Sequence, residues 1–182
     1  MTLIIVLAVA ALLVLWFIRV QNNLVNQDEL CKNALSQIGV QQSSRWDALT
    51  ALAELVKSYN EHEYNSLRDI IAMRKGISGT SNVEDANAQE ELMTQASKMI
   101  NVVVERYPDL KANENYGKAM DAVNTYENQV RMSRMVFNDT VTKYNRAIRQ
   151  IPDSFVATIL GFQGREYLKE VESKADMPSM KL

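Results

Sequence analysis

His62 is the one histidine of the chain, set between Glu61 and Glu63 in the stretch SYNEHEYNS, residues 58–66. An imidazole beside carboxylates can bind zinc or move a proton, provided that its partners converge on one point. On a helix those partners would stand three or four residues away, at Ser58, Tyr59, Asn65 and Ser66, and none of them completes a ligand set. Glu61 and Glu63 diverge to either side, and a His-Glu-x-x-His zinc site needs a second histidine. His62 is therefore read as a polar residue on a solvated helix.

Other chemistries meet the same obstacle. Cys31, the single cysteine, excludes an internal disulfide framework and a multi-cysteine metal site. With the histidine far along the chain it reads as a small apolar filler rather than a nucleophile. GISGTSN, residues 76–82, lacks the lysine and the preceding strand of a phosphate-binding loop, and no nucleophile elbow surrounds any serine. Glu84, Asp85, Glu90 and Glu91 fall at the start of a helix, where their charges meet the macrodipole favourably. No catalytic, cofactor-binding or metal-binding residue is assigned, and the chain is read as a non-enzyme.

Two stretches carry more than local structure demands. YPDLKANENY, residues 107–116, needs a breaker and a cap, which Pro108 and Asn113 supply. Tyr107, Lys111, Asn115 and Tyr116 together exceed that need and form a candidate interaction loop for another protein. The alternative is a capped corner with its tyrosines packed on the end of the fold. SFVATILGF, residues 154–162, offers Phe155, Val156, Ile159, Leu160 and Phe162 as a candidate membrane-surface turn, or as a cover folded back over the core.

The elements that must position these stretches are helical. Thr2 to Ile18 carries no charge and no proline, is long enough to cross hydrocarbon, and ends at Trp16 and Arg19, residues suited to an interface. It lacks the basic start and small-residue site of a cleaved signal, so it is read as a single-pass anchor. Arg19 and Lys32 follow it with no basic residue before it, which by the positive-inside tendency places the bulk of the chain in the cytoplasm. Twenty basic against 22 acidic residues, net −2, leave no electrostatic footprint for nucleic acid.

Behind the anchor, Leu24, Cys31 and Ile38 recur every seven residues, and Leu49, Val56 and Ile70 share another such register beside Leu52, Tyr59 and Met73. Gln42 and Arg45 interrupt this seam, so a turn is expected between about residues 40 and 47, with Asp47 capping a new helix. KGISGTSNV, residues 75–83, is expected to be a loop, with Gly76 ending one helix and Ser81 or Asn82 capping the next. A third helix is expected from about Glu84 to Arg106, burying Leu92, Met99, Val102 and Val103. A fourth is expected from about Glu114 to Gln150, with Val123, Val130, Phe137, Tyr144 and Ile151 at seven-residue intervals and Met120, Val141 and Ile148 beside them. Glu127 and Arg134 occupy two companion positions, as a flanking surface pair or as a buried polar layer. Asp153 would cap an apolar turn that Gly161 stops. No strand-like alternation of useful length appears.

Several of these segments resemble the LemA family of bacterial membrane-anchored helical proteins. The most specific are VVVERYPDLKANENY (102–116), FNDTVTKYNRAIRQIPDSFVATILGF (137–162) and REYLKEVE (165–172). NNLVNQDELCKNALSQIGVQ and RWDALTALAELVKSYNEHE resemble the family's first half, with departures at Ser44 and Arg45 and at Leu49, Thr50 and Ala51. The resemblance implies a single-pass anchor and an antiparallel helical bundle, and no particular chemistry.

The expectation is thus an all-α chain in which an N-terminal transmembrane helix (1–20) precedes an antiparallel four-helix bundle (21–162) and a short helix with a loose tail (163–182). It would sit in the bacterial cell membrane, touching lipid through its anchor and a protein partner through its bundle, with no cofactor. Its role would be that of a non-catalytic scaffold, or of a bundle that shapes or senses the membrane.

Overall fold

The computed structural model describes residues 1–169, and every described regular element is helical. The helices are α1 (Thr2–Lys57), α2 (Glu61–Ala72), α3 (Val83–Arg106), α4 (Pro108–Lys111), α5 (Glu114–Ala147) and α6 (Asp153–Leu160). α1 has 56 residues. At 1.5 Å per residue it is ~84 Å long, far beyond the average helix of a globular domain.

The expected turn between residues 40 and 47 is absent, because α1 runs through it without a break. The seam stays in phase across this stretch: Leu24, Cys31, Ile38, Arg45 and Leu52 are all buried at seven-residue steps, as are Leu35, Gln42, Leu49 and Val56. Asp47 caps nothing; it is exposed and pairs with Arg74 at 3.3 Å. Gly39 is a site of close approach rather than a breaker, since a Cβ there would overlap the carbonyl oxygen of Ile77 in the loop that crosses it. The expected boundary at residues 20 and 21 likewise lies inside α1.

The chain reverses instead at residues 58–60. Asn60 caps α2, its side-chain oxygen accepting the backbone N–H groups of His62 and Glu63 at 2.9 and 3.2 Å. α2 lies back along α1, where the Tyr64 hydroxyl donates to Glu54 at 2.8 Å. It stops at Ala72, before Gly76, and residues 73–82 continue towards the N-terminal half of α1 without helix. Asn82 then caps α3 by accepting from Asp85 N at 2.7 Å. The end of α3 returns to the start of α2, where Arg106 pairs with Glu63 at 2.8 Å.

α3 buries Met93, Ala96, Ile100 and Val103. Of the residues expected there, Leu92 and Met99 are half-buried and Val102 is exposed, so the covered face is rotated from the expected one. α5 buries Val123, Val130, Phe137, Val141 and Tyr144 as its spacing predicts. It ends at Ala147, which leaves Ile151 beyond the helix and 81% exposed.

α1 and α5 make the longest interface, with their residues meeting in opposite chain order. Near the apolar run of α1, Val20 and Leu24 cluster with Ala147, Val156 and Ala157. Next come Cys31, Leu35 and Ile38 against Phe137, Val141 and Tyr144. Farthest out, Trp46 to Val56 join residues of α2 and α3 with Leu110, Tyr116 and Val123. Burial of large side chains, at ~1.5–3 kcal/mol each, is what holds so long a pair together.

Residues 2–15 lie outside all three clusters and are exposed. Over an 18-residue window near its N-terminus, α1 is long and apolar enough to cross a membrane.

Candidate functional site

His62 is exposed in the first turn of α2, and only its backbone takes part in the cap. No cluster of three potential metal ligands exists among the described residues.

The corner at residues 107–116 divides in two. Tyr107 is half-buried, its hydroxyl accepting from Asn60 Nδ2 at 2.7 Å and its ring tilted against Tyr59 at 6.4 Å between centroids. Tyr116 is buried in the outer cluster, and that burial pushes its hydroxyl above the usual tyrosine value. The Tyr107 ring therefore ties the corner to the reversal at residues 58–60, while the Tyr116 ring packs into the outer cluster. Lys111 and Asn115 are exposed, and Asn113 caps α5 by accepting from Asn115 N at 2.9 Å.

α6 also splits, face by face. Asp153 provides no side-chain cap, since Pro152 precedes the first turn, whereas Gly161 ends the helix in the left-handed conformation at φ 75°. Val156 and Ala157 are buried against Val20, Leu24 and Ala147, with Trp16, Phe17 and Phe162 packed at the edge. Phe155 is 64% exposed, Ile159 is 73% exposed, and Leu160 is exposed beside them. One face completes the core, while the other leaves large apolar side chains bare where the apolar run of α1 ends.

Sequence reasoning treated Gln42 and Arg45 as an interruption, yet they lie at the centre of a buried polar layer. Arg45 is 2% exposed and donates to Glu90 Oε1 of α3 at 2.8 Å and to Glu127 Oε2 of α5 at 3.1 Å. Arg134, also buried, donates through Nη2 to Asn87 Oδ1 at 2.9 Å and to the Lys169 carbonyl at 2.8 Å. Burial lowers the pKa of Arg134, and the charge of Glu90 works in the opposite direction. Arg134 thus lies inside a buried layer, whereas Glu127, its side chain 44% exposed, flanks that layer at the surface, and each has its own partner. Among the described residues Gln42 Nε2 and Oε1, Arg45 Nε, Glu90 Oε2 and Arg134 Nη1 have no hydrogen-bond partner. The layer divides the apolar core and joins three helices through one guanidinium.

A second feature lies where a short helix was expected after residue 162. Residues 163–169 have no helix and lie along α5 as a strap, with residues 170–182 outside the described part. Asn145 reads the backbone of Arg165 on both sides: its Nδ2 donates to the carbonyl at 2.9 Å and its Oδ1 accepts the N–H at 2.8 Å. Asn138 does the same for Leu168, at 3.1 and 2.9 Å. The Tyr144 hydroxyl donates to Gln163 O at 2.8 Å. Arg165 reaches across to Asp28 of α1 at 2.7 Å. Burial opposes the charge of Asp28, but hydrogen bonds from Arg165 and Lys32 outweigh it and hold the carboxyl below its ordinary pKa. The signal in the sequence was two asparagines seven apart on one helix face, which no apolar pattern would have flagged.

Comparison with known proteins gives two matches. A model of the LemA family matches residues 34–182, from the middle of α1 onward. A 68-residue stretch is 32% identical to the magnetosome protein MamQ of Magnetospirillum gryphiswaldense, taking in 37% of this chain and 25% of that protein. The matched part is about a quarter of that relative's length.

Proposed function

Because this chain belongs to the LemA family, we propose that it is a non-catalytic scaffold of the bacterial cell membrane, carrying an interaction surface away from the bilayer on an antiparallel four-helix bundle. The legs of that bundle are α1 beyond the anchor, the return of residues 61–82, α3 and α5. Residues 2–18 are the single-pass anchor. Arg19 and Lys32 favour a cytoplasmic bundle. The 38 residues of α1 from Val20 to its end span ~57 Å at 1.5 Å each, so the exposed Lys111 and Asn115 would be held that far from the lipid.

The observation that carries this reading is the segregation of the surface. A continuous run of bare apolar residues stands at one end, on the first part of α1 beside the outer face of α6, and the tyrosine-braced polar corner stands at the other. Arg19, Arg146 and Arg149 are exposed beside the cluster that seats α6, where they would meet anionic headgroups.

The outer face of α6 favours a second reading, a bundle that shapes or senses the membrane itself. Two measurements test both readings. Crosslinking in cells should capture a protein that is lost with Lys111→Ala and Asn115→Ala at an unchanged melting temperature; unaltered capture would overturn the scaffold. An environment-sensitive dye at Ile159→Cys, in Cys31→Ser full-length protein, should shift to the blue on transfer from detergent to liposomes. A dye that reports water in both settings would remove α6 from the lipid surface.

A further inference from the structure

Besides the seam that closes the core, α1 carries a second stripe at seam spacing, on the side turned away from the first. Asn23, Asn26, Leu30, Asn33, Gln37 and Val40 follow one another at alternating steps of three and four residues, and all six are exposed. Leu30 is 48% and Val40 58% exposed. None of the six carries a charge, although 23% of the residues in the chain do and the outward face of a helix is ordinarily where they stand. Val136, Thr140 and Lys143 of α5 continue this face across the groove that separates them from the stripe. An uncharged stripe at coiled-coil spacing is the pattern of a helix that packs on another helix.

We propose that this stripe is the seam of a parallel two-stranded coiled coil, in which α1 of a second copy of this chain packs along α1 about a two-fold axis normal to the membrane. The orientation rests on the single-pass anchor of residues 2–18. Because α1 runs unbroken from that apolar stretch to Lys57, two copies in one bilayer present the stripe at the same height and in the same direction. A two-fold contact needs a surface that complements itself. Asparagine and glutamine provide one, since each amide is donor and acceptor at once and pairs with its own counterpart. Such residues in a seam fix its register and strand number at a cost in stability. Charge agrees as well. Lys143 lies on α5 between Ala147, which clusters with Leu24, and Val141, which clusters with Cys31, and so stands about level with Glu29. The Glu29 side chain is 62% exposed and flanks the stripe on the edge opposite the α5 groove, the edge to which the two-fold carries α5 of the other copy. The seam is short, ~27 Å of helix, and confinement of both anchors to one membrane raises the local concentration that it needs. Arg19 holds the next position of the stripe below Asn23, at the headgroup level, where its length lets it reach lipid phosphate instead of its counterpart.

The test uses the full chain in native membranes, with Cys31→Ser and two differently tagged copies expressed together. On mild oxidation Asn33→Cys should give a disulfide dimer carrying both tags, severalfold more of it than Val25→Cys, which is 45% exposed but off the stripe. Equal yields would overturn the proposal, and so would an Asn33→Cys disulfide formed mainly with a different protein. Leu30→Glu with Val40→Glu sets like charges across the seam and should abolish the Asn33→Cys dimer at an unchanged melting temperature; a dimer that survives them would overturn it. A measurement without seam substitutions guards against misfolded variants. Copies labelled with a donor and an acceptor dye in liposomes should transfer energy above the level of a random mixture, and transfer at that level would overturn the pairing. Carbonate extraction separates this inference from the anchor it rests on. Protein that resists carbonate but shows no preference for Asn33→Cys loses the pairing and keeps the anchor, whereas protein washed off by carbonate loses the anchor and the parallel arrangement with it.

Discussion

Ile38 and Arg45 hold the same register on α1, seven residues apart, and both are buried, yet they stand in opposite environments. Around Ile38 the core is apolar, closed by Phe137, Val141 and Tyr144. Around Arg45 it is ionic, closed by Glu90 and Glu127 and bordered by a groove. The helix is equally regular through both. Helical continuity therefore follows the period of the covered positions, not their polarity, and a charged side chain can occupy the seam wherever neighbouring helices bring partners to it.

The two regions should respond differently to truncation. In the apolar region Phe137→Ala should cost about 3–5 kcal/mol by denaturant unfolding, since the ring is 2% exposed and its loss leaves a cavity. A loss under ~1 kcal/mol would mean that the lower core is not packed around this ring.

In the polar layer Arg45→Ala should cost about 3 kcal/mol, because Glu90 is left buried without its guanidinium. The sharper test replaces both partners, Arg45→Met with Glu90→Leu. That pair should recover most of the loss, since an apolar filling of similar volume needs no ionic compensation and Glu127 can turn to solvent. If the double variant were no more stable than Arg45→Ala, the layer would hold the three helices by more than mutual compensation.

Smaller effects are expected on the strap. Asn138→Ala removes both hydrogen bonds to Leu168 and should cost about 1–2 kcal/mol, with faster exchange of the Leu168 amide. Asp28 adds a dependence on acid. Its folded pKa lies below the ordinary 3.8, so its contribution is fully present above that value and is lost as pH falls through the lower folded value. Melting temperature should therefore fall less steeply with acid in Asp28→Asn than in the unsubstituted protein. At the bottom of the scale His62→Ala should change stability by no more than ~0.5 kcal/mol, and a larger loss would show that the exposed start of α2 is under more constraint than its cap.

The long apolar N-terminal helix, the seven-residue spacing of α5 and the caps at Asn82 and Asn113 were all legible from residue types, because each depends on local chemistry that a short window contains. The break expected at residues 40–47 shows where such reading stops. Gly39, Gln42, Arg45 and Asp47 have the composition of a turn, yet the phase from Ile38 to Leu52 is unbroken. Gly39 is small because the Ile77 carbonyl crosses it, and Arg45 is charged because two carboxylates meet it. Each cause is a residue far away in the chain. The true reversal depends on Asn60, whose neighbours Ser58 and Tyr59 advertise nothing.

What the sequence alone determined is therefore the class of the molecule: an apolar run able to span a membrane, and helices whose apolar stripes require one another. Period and hydropathy settle those points, since burial of apolar surface is non-directional and demands only that some face be covered. The tertiary structure decided which polar groups go inside and what reads what: Arg45 between Glu90 and Glu127, the strap beneath Asn138 and Asn145, and α6 with one face in the core and one face bare. Those outcomes depend on hydrogen bonds and ion pairs, which are directional and join residues as distant as Asp28 and Arg165. No local window contains both partners, so only the folded chain could reveal them.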